Sequence, residues 1–345
     1  MKEILLMKAI KVAKPFELEI IEIEKPQIKN YGEVLVKIKA GGICGSDLGI
    51  YKGTNSLASY PRIIGHEFAG VVEEIGEGVE GIEVGDKVAV DPVVSCGECY
   101  ACKHGRHNVC ETLEVMGVHR DGGFCEYVVV NYKNLYKTSK EIPFETLCLV
   151  EPFTIGAQIN FRGQIGGDDT VFIMGCGPIG LTALQVAKKN GVKVIMTDII
   201  KKRLKMAKEM GADRVVNVLE EDVQVAINEF TNNVGINVVV DTVCSPKSFE
   251  QAVEVTSPAG RIVIIGLIAQ PSEIVQATIT KKELTITGSR LSNYKFADVI
   301  KWMEAGQIKP ELIRSHVYNY TEIETAIDVA VNNPQDVCKI VIKFD

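Results

Sequence analysis

Val171-Phe172-Ile173-Met174-Gly175-Cys176-Gly177-Pro178-Ile179-Gly180 decides the fold of this 345-residue chain. Four apolar residues run straight into a Gly-x-Gly-x-x-Gly turn, and a helical stretch over 179–190 leaves it. Glycine-rich hexapeptides arise by chance, and a bare turn beside a surface acid is the competing reading. The strand before and the helix after give this one its meaning. Gly175 permits the tight turn, Gly177 lets a pyrophosphate reach the backbone, and Gly180 lets helix and strand pack closely. The helix start at Pro178 and Ile179 offers free N–H groups and a positive dipole end to phosphates. Asp198 closes the next strand, 18 residues past Gly180, where a carboxylate receives the adenosine ribose hydroxyls and repels a 2′-phosphate. That favours NAD over NADP. Lys201, Lys202 and Arg203 nearby pull the other way, and Arg203 is itself a candidate cofactor contact.

Working outward, strands over 171–174, 194–197, 214–217, 237–241, 261–266 and 283–288 follow, with helical segments between all but the last two, one of them over 202–210 and stopped by Gly211. Continuous apolar strands separated by helices predict a parallel sheet covered on both faces. The first 150 residues read differently. The stretch 32–39 alternates apolar and polar, and 69–76 and 86–90 are further strands, punctuated by Gly76, Gly78, Gly81 and Gly85. This predicts a mostly antiparallel β domain, a distorted barrel. After 290 come two helices, the second with a capping box of Thr321 and Glu324, and a last strand at 339–344 that returns to the first domain. The expected class is α/β: a β-barrel domain of 1–152 and 291–345, interrupted by a doubly wound parallel-sheet domain of 153–290.

The net charge of -7, with no basic run, argues against nucleic acid or an anionic membrane as partner. No stretch approaches the roughly 18 apolar residues of a membrane span. Met1-Lys2-Glu3-Ile4-Leu5-Leu6 lacks the apolar region and cleavage site of a secretory signal, and reads as a short extension before Met7. Ten cysteines without an export signal read as metal ligands and buried thiols of a cytoplasmic protein. Cys96, Cys99, Cys102 and Cys110 are spaced C-x2-C-x2-C-x7-C. Four thiolates about 2.3 Å from a Zn²⁺ ion fill its tetrahedral shell, so the lobe at about 92–112 is a closed, structural site. Cys125, Cys148, Cys176, Cys244 and Cys338 read as packing, and His104, His107 and His316 as solvent-facing.

A second donor set is open. Cys44 lies in the glycine-lined turn Gly41-Gly42-Ile43-Cys44-Gly45-Ser46-Asp47, His66 and Glu67 follow Gly65 at a strand start, and Glu151 precedes Pro152 at the domain junction. One thiolate, one imidazole and one carboxylate would leave a zinc ion a free position. Spacing does not bring these residues together. Singly, a buried thiol, a core histidine and a helix-start carboxylate account for them as well.

The segments Gly42-Ile43-Cys44-Gly45-Ser46-Asp47 and Gly65-His66-Glu67-Phe68-Ala69-Gly70, the four-cysteine lobe, Glu151-Pro152 and the glycine turn together resemble the zinc-dependent medium-chain dehydrogenases over essentially the full length. A glutamate at 151, where ordinary alcohol dehydrogenases carry cysteine, is similar to the sorbitol and threonine dehydrogenase branch. Within it, Asp91-Pro92-Val93-Val94-Ser95-Cys96-Gly97, Gly117-Val118-His119, Asp121-Gly122-Gly123-Phe124 and Ser289-Arg290-Leu291 resemble bacterial L-gulonate 5-dehydrogenases.

The resemblance implies a GroES-like β-barrel catalytic domain and a Rossmann NAD-binding domain, with two zinc ions per chain. Catalytic zinc would be held by Cys44, His66 and Glu67 or Glu151, with Glu67 either exchanging with water or sitting behind the metal. Asp47 would orient the histidine, and Ser46 would relay a proton. Of the remaining candidates, His119 fits a surface loop or a substrate contact. Arg290 is either tied to backbone carbonyls or placed to clamp a sugar-acid carboxylate. The implied reaction oxidises a secondary alcohol of an L-gulonate-like sugar acid or a polyol with NAD. Sorbitol, threonine or another polyol is the alternative substrate, and a homodimer or homotetramer is the implied assembly.

Overall fold

Gly-punctuated, β-branched segments become short strands in the N-terminal part of the computed structural model, which describes residues 5–139 and 141–344. Residues 1–4, within the stretch expected to be a short extension, lie outside these. The strands are β1 (Leu6–Lys14), β2 (Glu17–Glu24), β3 (Glu33–Ile43), β4 (Arg62–Ile63), β5 (Glu67–Ile75), β6 (Lys87–Val90), β7 (Val93–Val94), β8 (Glu114–Val115), β9 (Tyr127–Asn131) and β10 (Leu135–Lys137). The central run is β11 (Thr170–Met174), β12 (Lys193–Asp198), β13 (Arg214–Asn217), β14 (Ile236–Asp241), β15 (Thr256–Ile264) and β16 (Thr285–Gly288). The chain closes with β17 (Arg314–Asn319) and β18 (Lys339–Lys343).

Two units result. One comprises Met1–Glu151, Phe296–Glu304 and Pro310–Asp345, and the other Pro152–Lys295 and Ala305–Lys309. The second unit therefore runs past residue 290, where the sequence reading ended it. It recovers Ala305–Lys309 because Gln185 brackets Lys309, accepting from its backbone N–H at 2.8 Å and donating to its carbonyl at 3.2 Å.

In the first unit one sheet has the order β2-β1-β4, and a larger one follows β10-β6-β5-β3-β18-β17 with β9 also on β3. Its pairings are antiparallel except β17–β18, which is parallel. Register is what positions the site. Gly42 pairs with Glu67 across β3–β5, and Ile43 pairs with Ile340 across β3–β18. The end of β3 and the starts of β5 and β18 thus lie side by side.

The second unit holds the six-stranded sheet β13-β12-β11-β14-β15-β16, parallel throughout. Its order reverses between β11 and β14, and in such sheets ligands bind at that switch point, beyond the carboxyl ends of the strands. Phe172, Ile195, Val239 and Ile262 are fully buried on four successive strands, as expected of strands covered on both faces.

Several local expectations are corrected. The strand predicted from 283 begins at Thr285, because a helix, Gln276–Lys282, ends on Glu283 in the left-handed region at φ 51°. The helix Gly45–Lys52, β17 and the early start of β15 at Thr256 were not foreseen. The last helix, Ile323–Asn332, is entered through a 3-10 turn, Tyr320–Glu322. That turn moves the cap two residues earlier. Asn319 and Glu322 form the capping box, and the Thr321 hydroxyl donates to Asn319 Oδ1 at 2.9 Å.

A side chain at position 180 would drive its Cβ into the Gly175 carbonyl, a backbone atom that cannot swing aside. Gly180→Ala should therefore cost about 1–3 kcal/mol by overpacking, read as a lowered midpoint in thermal unfolding. The protein's zinc content should stay unchanged.

Candidate functional site

Cys44 is delivered by the end of β3 and caps the helix Gly45–Lys52, while His66 and Glu67 are delivered by the start of β5. A donor atom of each of Cys44, His66 and Glu67 lies within 4.8 Å of the other two. The buried carboxylate of Asp47 organises them. Its Oδ2 accepts from the Cys44 backbone N–H at 2.8 Å, its Oδ1 from the Gly65 N–H at 3.1 Å, and Oδ1 lies 3.6 Å from His66 Nδ1. On the other side of the ring, His66 Nε2 is 3.3 Å from Ser46 Oγ.

Glu67 is 1 % exposed, and its Oε1 accepts from Lys339 Nζ at 2.6 Å. Its Oε2 is buried without a hydrogen-bond partner. The space for Oε2 exists because residue 42 has no side chain, since a Cβ there would run into it. A buried anionic oxygen with no partner is costly unless a cation meets it. A sulfur, an imidazole and a carboxylate at this separation are a fit for zinc.

Glu151 lies in the first turn of the helix Val150–Arg162 and is 6 % exposed, but it is not among the three mutually close donors. Burial pushes its carboxyl up to about 8. Glu67 and Asp91 push the same way, against His66 and Lys339. Glu67 is the carboxylate that lies close to the Cys44 and His66 donors in this arrangement, with Glu151 within electrostatic range of it.

The four sulfurs of Cys96, Cys99, Cys102 and Cys110 also lie within 4.8 Å of one another. The Cys96 backbone N–H donates to Cys110 Sγ at 3.3 Å and, as the largest influence, helps hold that thiol down to about 6, which eases formation of the thiolate a metal needs. His107, expected in solvent, is buried. Its Nε2 is 3.9 Å from the buried Asp91 Oδ2, because the 3-10 turn His107–Val109 folds inward between Cys102 and Cys110. His104 is exposed and stacked on Tyr100, and His316 is half-buried beside Tyr318.

His119 accepts from the Val115 backbone N–H through Nδ1 at 3.0 Å. Its loop is pressed onto the residue before His66, since a Cβ on Gly117 would strike the Gly65 backbone. Arg290 is half-buried, directly before Leu291, whose φ is 49°. It belongs to the second unit, and the zinc donors belong to the first.

In the second unit a cleft of about 910 Å³ is lined by Gly175, Gly177, Pro178, Ile179, Gly180, Asp198 and Arg203. The Asp198 carboxylate is fixed by two backbone N–H groups, with Oδ2 accepting from Cys176 and Oδ1 from Ile200, each at 2.8 Å. A Cβ at Gly177 would meet nothing within 4 Å, so the backbone there faces open space of the kind a pyrophosphate fills.

Sequence reading missed the buried environment of Lys339. Its signal was a single lysine opening the otherwise apolar run Lys339-Ile340-Val341-Ile342. Burial opposes its charge, yet Glu67 and Cys44 more than reverse that, so its pKa stands above the ordinary lysine value.

A parallel sheet of this order, a glycine turn facing a cleft and an open thiolate–imidazole–carboxylate set define a dehydrogenase with a metal site. Residues 178–305 match the zinc-binding dehydrogenase family, and residues 30–140 match the alcohol dehydrogenase GroES-like domain. The starvation-sensing protein RspB of Escherichia coli strain K12 is 46 % identical over 342 residues, covering 98 % of this chain and 99 % of that protein. L-threonine 3-dehydrogenase of Pyrococcus furiosus is 38 % identical over 333 residues, covering 94 % and 95 % respectively. A solved structure of an alcohol dehydrogenase, RspB from E. coli CFT073 complexed with NADH, superposes with a TM-score of 0.93 at 45 % identity, covering 98 % of this chain and 99 % of that one. The chain belongs to the zinc-binding, medium-chain alcohol dehydrogenases, in the sorbitol and threonine dehydrogenase branch, and is an oxidoreductase.

Two measurements test the metal geometry. Asp47→Asn keeps the shape of the side chain but removes the charge facing His66, and should weaken zinc affinity about 10–100-fold, read by chelator competition. In the metal-free chain burial would lower the His66 pKa, but Asp47 and Cys44 raise it well above its ordinary value. Zinc must displace that proton. Affinity should therefore fall as pH drops through a window lying above the usual histidine range, and zinc uptake should release protons into a weakly buffered indicator solution.

Proposed function

We propose that the chain oxidises a secondary alcohol of a sugar acid, of the L-gulonate type, to the corresponding keto acid with NAD as oxidant. The observation that carries the alcohol chemistry is the Cys44–His66–Glu67 set with the Ser46 hydroxyl 3.3 Å from His66 Nε2. When bound, zinc supplies Lewis acidity toward an alcohol oxygen and NAD accepts a hydride. The chain's own residues do the rest. Cys44, His66 and Glu67, with Glu151 beside them, would hold the ion, Asp47 keeps the imidazole in place, and the Ser46 hydroxyl takes the alcohol proton as it gives its own to water.

In the second unit the helix start at Gly177 and Pro178 receives the pyrophosphate. Asp198, held rigid by its two N–H bonds, receives the ribose hydroxyls and disfavours a 2′-phosphate. Arg203 lines the same cleft. For the acid end of the substrate, Arg290 offers a planar fork suited to a carboxylate, and His119 is a second contact. Cys96, Cys99, Cys102 and Cys110 hold the second, structural zinc. No helix among the described residues is long and apolar enough to cross a membrane. A homodimer or homotetramer working in the cytoplasm completes the reading.

NADH formation with L-gulonate, L-galactonate, sorbitol, threonine and galactitol 1-phosphate tests the substrate class. Turnover of the sugar acids with neglect of sorbitol is expected, and the reverse order would overturn the proposal in favour of a polyol enzyme. Arg290→Ala should cut kcat/KM for the sugar acid about ten- to hundred-fold, the worth of a charged hydrogen bond, and leave residual polyol turnover nearly unchanged. Cys44→Ser should abolish turnover while NADH still binds by fluorescence.

A further inference from the structure

Lys339 opens the last strand and is 3 % exposed. Its ammonium makes two buried contacts, donating to Glu67 Oε1 at 2.6 Å and to the Ile43 carbonyl at 3.2 Å. One cation therefore ties the peptide just before Cys44 to the side chain just after His66. A lysine placed merely to neutralise a buried acid would be expected to leave that acid satisfied. Here the second oxygen of Glu67 makes no hydrogen bond, and Glu67 lies within 4.8 Å of the Cys44 and His66 donors. The bare space at Gly42 keeps room for that oxygen.

We propose that Lys339 is a positioning residue that shares Glu67 with the metal, holding one carboxylate oxygen so that the other is only a weak ligand. The inference rests on the zinc reading of Cys44, His66 and Glu67 given above. Two cations compete for one carboxylate, so the charge at 339 sets how firmly the ion is held. Without Lys339, Glu67 has the metal as its remaining cationic partner and closes on it.

The test is a double-variant cycle on zinc-loaded protein, following zinc release to a chromogenic chelator and the visible spectrum after cobalt substitution. Lys339→Met should slow release about ten-fold, the lower end of what outer partners of metal ligands contribute, and should change the cobalt band intensities as the carboxylate joins the ion. Lys339→Arg should restore the parent release rate. In a Glu67→Gln background, which has no anionic oxygen to share, Lys339→Met should change neither readout. An equal effect of Lys339→Met in both backgrounds, or none in the parent, would overturn the proposal. Should Lys339→Met alone fail to fold, Lys339→Gln, which keeps an N–H donor for the Ile43 carbonyl without the charge, replaces it in both backgrounds. An equal effect of Lys339→Gln in both backgrounds, or none in the parent, then refutes the proposal. The underlying zinc reading fails separately, if Cys44→Ser keeps the full zinc content of the parent.

Discussion

A buried carboxylate with three partners governs the first unit. Asp47 is fully buried, and its two oxygens receive the N–H groups of Cys44 and Gly65 while facing the His66 ring. The peptides of two strands that meet only through the sheet are thereby fixed relative to each other at the point where Cys44 and His66 emerge. Charged hydrogen bonds of this kind hold well in a buried setting, where water does not compete. The same carboxylate biases the imidazole electrostatically. The spacing of the Cys44 and His66 donors and the basicity of the imidazole thus depend on one side chain.

The nucleotide unit uses the same economy through its backbone. Asp198 would be a poor recognition group if its carboxylate swung freely. The N–H groups of Cys176, inside the glycine turn, and Ile200, past the strand, hold both oxygens. The turn that would receive the phosphates and the acid that would receive the ribose are therefore one hydrogen-bonded piece. Thr242 reinforces it from the neighbouring strand, donating to the Met174 carbonyl at 2.6 Å.

The parallel sheet was legible in the sequence because its strands are continuous apolar runs, and buried runs of four to six residues between helices have few other homes. The glycine turn and Asp198 were legible for the same reason: their roles depend on neighbours close in the chain. The four-cysteine lobe follows from spacing alone. Convergence of Cys44, His66 and Glu67 was different in kind. It depends on the β3–β5 register, a long-range pairing that no local pattern encodes, and a family resemblance was needed to anticipate it. Position 151 shows the limit. The sequence marks Glu151 as a carboxylate at the junction, but burial beside Glu67 and Asp91, which raises its pKa, is a property of the folded environment. His107 went astray likewise, since a histidine in a polar cysteine loop reads as exposed until the loop is seen to fold it toward Asp91. The caps and strand starts that moved by two or more residues did so at 3-10 turns and left-handed residues, which carry weak sequence signals.

The closing strand β18 inserts between β3 and β17 and brings Lys339 to Glu67, 272 residues away along the chain. During synthesis at about 5–20 residues per second, roughly a quarter of a minute to a minute separates the two. Throughout that time the nascent first unit lacks both an inner strand of its larger sheet and the counter-charge for the buried Glu67. The second unit leaves the ribosome whole in the interval, and the four-cysteine lobe is already complete. The part of the molecule translated first is therefore the last to mature, and the Cys44–His66–Glu67 cluster waits for residue 339 to emerge.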